Sequence, residues 1–167
     1  MASIDLEDLV PDLVIELNTP GANIYGSVSN EEWVSRLRNA FWEAHLNGFM
    51  DGWTESDGIV SKLNDPSANA MTRDQQQLII LHAGMNVIRA ELRTLNTSES
   101  YKAGPVAYEV QKSSQVLRAL LDDMTKRMNY LLQRLADMGI ARDIYYINSY
   151  IARQDAINSG ATPWVGN

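Results

Sequence analysis

Apolar residues return at alternating intervals of four and three along the second half of the chain: Leu117, Leu121, Met124, Met128, Leu131, Leu135 and Met138. This seven-residue seam, held over about three heptads, predicts one helix from about residue 113 to 138, roughly 39 Å long at 1.5 Å per residue. Asp122 stands four before Lys126 and Asp123 four before Arg127, acid first, the order that supports a helix. Gly139 follows the last seam residue, where helices commonly stop. Upstream, Tyr101-Lys102-Ala103-Gly104-Pro105 reads as a turn, and Val106, Tyr108 and Val110 as an alternating run. The rest of the chain is read as packing around this helix.

Three earlier stretches carry weaker helical patterns. Residues 5–17 read as one or two short helical turns, with Pro11 tolerated in a first turn and a break near Val10. Asn18-Thr19-Pro20-Gly21 is a turn, and 22–28 a loop. Ser29 and Glu32 have capping-box spacing, and Val28 can staple onto Trp33. The helix they open has the core face Trp33, Leu37, Ala40, Phe41 and Ala44, and Gly48 ends it. Thr72 and Gln75 open another helix, running to about Leu95 with Asn96 as its cap. Its faces, Leu78, Leu81, Met85, Ile88, Leu92 and Leu95 on one side and Ile80, Ala83 and Val87 on the other, predict a buried central helix or one shared between subunits.

Between these helices, residues 49–71 are loop-rich, with Trp53, Ile59, Val60 and Leu63 as anchors; a short hairpin around Asp57-Gly58 is compatible with the pattern. After Gly139, Ile140, Ile144, Ile147 and Ile151 recur at helical spacing beside Tyr145, Tyr146 and Tyr150. Residues 158–167 read as an extended tail in which Trp164 and Val165 are sticky. The expected architecture is all-α: a bundle of about four to five helices with a long loop and an extended C-terminal arm. It divides into a bundle over 1–139 and a docking arm over 140–167.

Composition narrows the function. The 167 residues are 45% hydrophobic, enough for one domain with a core, and hold no apolar run long enough to span a membrane. The N-terminal residues lack the pattern of a secretory signal. With no cysteine there is no disulfide, thiolate metal site or cysteine nucleophile. Of the net charge of −7, residues 1–58 hold eleven acids and two bases, and the remainder ten acids and twelve bases. No basic patch is dense enough for sequence-specific nucleic-acid binding. The acidic front is either a solvated surface, the commoner case, or a face for a basic partner.

Candidate chemistry is sparse. His45 and His82 lie on different helices with no further ligand or partner at a fixed offset, so both read as structural. Asp122 and Asp123 point about 100° apart and each has its own base, so they read as ion-paired surface. Nucleophile-elbow, phosphate-loop, zinc-protease and EF-hand patterns are absent. The chain reads as no enzyme, with no cofactor and no metal.

Two apolar features remain. The seam is read as the core of an intramolecular bundle in preference to an intermolecular coiled coil. Trp42, Leu46 and Phe49 form a second ridge on the second helix, away from Trp33. Either this ridge is a subunit interface, or the 49–71 loop or the C-terminal segment covers it.

The order of parts resembles the head-to-tail connector, or adaptor, proteins of long-tailed double-stranded DNA bacteriophages. Three stretches carry the resemblance. They are Ser29-Asn30-Glu31-Glu32-Trp33 running on to Ala40-Phe41 and Gly48-Phe49; Thr72-Arg73-Asp74-Gln75-Gln76-Gln77-Leu78-Ile79-Ile80; and Lys102-Ala103-Gly104-Pro105-Val106-Ala107-Tyr108-Glu109 leading into Gln111-Lys112-Ser113-Ser114-Gln115-Val116-Leu117. The resemblance implies a small helical bundle of which about twelve copies form a ring. That ring docks under the portal protein, meets a stopper or tail-terminator protein below, and extends the channel through which the genome passes without sequence-specific contact. It implies a place in the virion, at the head-tail junction, and in the host cytoplasm during assembly, with no membrane. It also implies portal and subunit docking by residues 140–167, with Tyr145, Tyr146, Tyr150, Pro163, Trp164 and Val165 as anchors. The 49–71 loop would face the lumen or the next protein. The alternatives are another neck or tail-assembly factor, and a non-viral helical adaptor dimerising through the seam.

Overall fold

The structure is a computed structural model that describes residues 3–18, 28–63, 71–99 and 105–137. It is mostly helical. In chain order it comprises β1 (Ser3–Asp5), a 3-10 turn (Leu6–Leu9), α1 (Val10–Leu17), α2 (Asn30–Leu46), β2 (Trp53–Ser56), β3 (Ile59–Lys62), α3 (Arg73–Glu99) and α4 (Pro105–Asp137).

α3 is the centre. α2 packs on it, α4 packs on it, and α1 lies against it as well. Its first four turns are therefore enclosed: Leu78, Ile79, Ile80, Leu81, Ala83, Met85, Val87 and Ile88 are all buried. This is the apolar-all-round helix of the sequence pattern, enclosed by elements of its own chain. The α4 seam from Leu117 to Leu135 is buried as well, together with Leu132. Met138 lies outside the described residues.

The helix starts follow local chemistry. Gln75 N–H donates to Thr72 Oγ1 at 3.3 Å, and Thr72 N–H donates back to Gln75 Oε1 at 3.1 Å. This reciprocal box is worth about 1 kcal/mol. At α2 only half of the box forms. Ser29 Oγ accepts from Glu32 N–H, but the Glu32 carboxylate turns outward to Arg36 at 2.6 Å.

Three expectations need correction. The fold is not all-α: β1, β3 and β2 form a three-stranded antiparallel sheet in that order. The hairpin at Asp57-Gly58 exists as a two-residue turn between Ser56 and Ile59, with φ of 53° and 87°. Positive φ at both central residues matches the right-handed twist of the strands, and Asp-Gly tolerates it. The third strand, Ser3–Asp5, had no signal of its own; it is too short to show periodicity and exists because β3 offers an edge, with Ile4 opposite Val60. Second, the run Val106, Tyr108 and Val110 is helical, because α4 begins at Pro105. Proline is at home in the first helical position, and once the seam has nucleated a helix, extending it costs little. Third, α3 runs past Asn96 to Glu99. The expected helix and arm over 140–167 lie outside the described residues.

Candidate functional site

The outward stripe of α2 runs through Ser35, Asn39, Trp42 and Leu46, polar in its first half and apolar in its second. Leu46 is 86% exposed, the most exposed large apolar residue described. Trp42 is partly exposed and more constrained. Its ring stacks on His45 at 5.3 Å and 18°, and its Nε1–H donates to Glu55 Oε2 at 3.1 Å. The hairpin therefore reaches the ridge through one carboxylate and leaves Leu46 uncovered.

Phe49, expected on the same ridge, is buried. The reason is the end of α2. Gly48 takes φ of 79°, its N–H donates to His45 C=O at 2.9 Å, and Phe49 N–H donates to Ala44 C=O at 3.0 Å. This left-handed stop turns the chain inward, so the residue after the glycine packs back on the last helical turn. Extrapolating the helical wheel past Gly48 put Phe49 outside. The exposed ridge is thus Trp42 and Leu46.

Glu55 is the polar residue that sequence reading missed. Its side chain is 6% exposed. Its Oε1 accepts from Gly58 N–H at 2.7 Å and faces Arg38 Nε at 2.8 Å, an ion pair set off the hydrogen-bond line. Strand alternation carries a faint signal for this inward position, since Glu55 shares a face with buried Trp53.

A second polar cluster joins α2 to α3. His82, almost fully buried, holds Nδ1 3.7 Å from Glu43 Oε2, and Asn86 Nδ2–H donates to that same oxygen at 2.9 Å. His82, then the Asn86 amide, hold the Glu43 carboxyl at about 2, below the ordinary 4.5, against the opposing effect of burial. A carboxyl whose pKa is lowered by folding adds stability above its unfolded value. That contribution is lost as pH falls from about 4.5 toward 2. Glu43→Gln is therefore expected to flatten the acid limb of the stability curve in that window and to leave its shape above pH 5 unchanged. Thermal melts of both proteins across pH 2 to 7 check this, and parallel acid limbs would refute it.

A third cluster closes α1 onto α4. Glu16 takes both Arg127 guanidinium nitrogens at 2.6 Å and Gln77 Nε2–H at 3.0 Å. Arg127 also keeps the expected i,i+4 ion pair with Asp123, at 3.9 Å. Lys126 pairs with Asp122 at 2.6 Å, as the spacing suggests. Tyr130 on α4, not singled out in the sequence, is 68% exposed.

No protein-family model, no curated protein and no solved structure matches the chain. Among the described residues no group of three or more His, Asp or Glu side chains could hold a metal ion, and no helix is long and apolar enough to cross a membrane. A shallow open groove is lined by Glu7, Asn30, Glu31, Val34, Ser35 and Arg38. Tyr145, Tyr146, Tyr150, Pro163, Trp164 and Val165 lie outside the described residues.

Proposed function

We propose that this protein is a structural, non-enzymatic component of a phage neck. It would be a ring-forming adaptor that docks on the portal vertex and links the capsid to the stopper or tail. The observation that carries the reading is the ridge of Trp42 and Leu46, apolar and exposed on a helix whose other face is fully packed. A chain that met no partner there would gain from polar residues at these positions. The pattern of helix starts that resembles the connector proteins supplies the assembly in question. The acidic half of the chain fits a channel wall, since like charge keeps a DNA duplex from adhering. On this reading about twelve copies surround the genome's path in the virion, after assembly in the host cytoplasm.

The rival reading, a dimer through the α4 seam, loses support because that seam is buried within the chain from Leu117 to Leu135. Using it for dimerisation would require peeling α4 from α3.

The test is sedimentation of the full chain, alone and with the portal protein encoded beside it, with negative-stain images of large species. Rings that form on the portal are the expected result, and indifference to the portal refutes the reading. Removing residues 160–167, or Trp164→Ala, is expected to leave helix content unchanged and to weaken assembly on the portal at least about tenfold. Assembly equal to wild type would remove the tail from the docking role.

A further inference from the structure

Asn47 and Gly48 are the chain's one Asn-Gly pair, and they form the stop of α2. Such a pair is the dipeptide most open to self-deamidation, because glycine sets no side chain beside its own nitrogen and leaves the backbone free to turn. The Gly48 nitrogen attacks Asn47 Cγ. An N–Cγ bond forms, the Cγ–Nδ2 bond breaks, and ammonia leaves with the proton of the Gly48 amide. Water then opens the cyclic imide at either of its carbonyls, which leaves aspartate or isoaspartate at position 47. The folded stop engages every atom this step needs. Asn47 N–H and Nδ2–H both donate to Glu43 C=O, at 3.2 and 2.7 Å. Gly48 N–H donates to His45 C=O at 2.9 Å and Phe49 N–H to Ala44 C=O at 3.0 Å, with the Phe49 side chain buried against the last turn. Ring closure also needs the Gly48 nitrogen swung about the Cα–C bond to eclipse Asn47 Cβ, and a ψ of 5° at Asn47 holds it well away from there.

We propose that Asn47 is a self-deamidation site whose rate is set by opening of the α2 stop. The closed stop protects it, each opening exposes it, and reaction makes a reversible opening permanent. Aspartate at 47 has no side-chain donor for Glu43 C=O and adds a negative charge at the negative end of the helix dipole. Isoaspartate carries one extra methylene in the main chain between positions 47 and 48, which displaces the Gly48 and Phe49 amides from the His45 and Ala44 carbonyls. Either product loosens the turn that carries Phe49 inward, directly beside exposed Leu46. The opening is local because the preceding turn is anchored separately: the Glu43 carboxylate takes Asn86 Nδ2–H and faces His82, both on α3.

The experiment is a time course of the full chain in warm, mildly alkaline buffer, native and unfolded in guanidinium chloride, read residue by residue by peptide mass mapping. In the unfolded chain Asn47 is expected to deamidate ahead of every other asparagine, and another asparagine ahead of it would overturn the proposal. In the native chain Asn47 is expected to react at least about tenfold more slowly. Equal rates in the two states would mean that the stop gives no protection. Phe49→Ala removes the buried anchor of the stop and is expected to raise the native rate at Asn47 severalfold while circular dichroism shows the helix content retained. An unchanged rate in that folded variant would overturn the control by the stop. If Phe49→Ala does not fold, the wild-type chain in denaturant below its unfolding transition gives the same reading. The rate at Asn47 is expected to rise there before helix content falls, and a rate that rises only with global unfolding would overturn the proposal.

Discussion

Gly84→Leu is expected to cost the fold about 3 kcal/mol, while Gly84→Ala stays within about 1 kcal/mol of wild type. Gly84 lies in α3 where α4 and α1 both approach. A Cβ there would stand 2.7 Å from Met124 Cε and 3.6 Å from Leu17 Cδ2. Met124 can swing its terminal methyl, and the helix gains about 1 kcal/mol from losing a glycine, so alanine comes out near neutral. The further carbons of leucine have no such escape, because Leu17 and Met124 are both fully buried. Overpacking then pushes α3 and α4 apart along the seam. Urea unfolding followed by far-ultraviolet dichroism measures both variants. A leucine variant as stable as the alanine one would mean that α3 and α4 do not approach through Gly84.

Glu55→Ala should lower stability by about 2 to 3 kcal/mol, the second large effect. The substitution leaves the Gly58 amide without its acceptor, the Trp42 indole without its partner, and Arg38 without its counter-ion. Arg38 is partly exposed and can turn to water, which keeps the cost below that of a fully buried pair. Glu55→Gln keeps the shape but loses the charge, and is expected to fall near half that cost. The damage should be local first. Faster amide exchange at Gly58 and a red shift of tryptophan emission should precede global unfolding. Unchanged exchange at Gly58 in the alanine variant would show that the strands, not the carboxylate, hold the hairpin to α2.

The two variants probe different kinds of information in the sequence. Gly84 sits inside a strongly helical pattern, and nothing about its neighbours in sequence says that Met124 lies 2.7 Å from a Cβ there. Glu55 reads as one more acid in an acidic stretch until strand register turns it inward beside Trp53.

What the sequence determined by itself is local and periodic. The caps at Ser29 and Thr72, the stop at Gly48, the turn at Asp57-Gly58, the apolar stripe of α2 and the seven-residue seam of α4 are all short-range patterns of side chain and backbone. Each involves residues within a turn or two of one another, and each is written directly in the residue order. The tertiary structure alone decided the rest. It recruited Ser3–Asp5 to the edge of β3, folded Phe49 under the end of α2, and gave Arg127 a second, closer partner in Glu16 across 111 positions, beside its expected Asp123. It also exposed Tyr130. These outcomes depend on which faces meet, and a side chain takes the partner that the packed helices bring near. The exposed ridge draws on both kinds of information. Helical spacing marked Trp42 and Leu46 as facing away from the core of α2, and only the packed chain shows that the hairpin reaches Trp42 and stops short of Leu46.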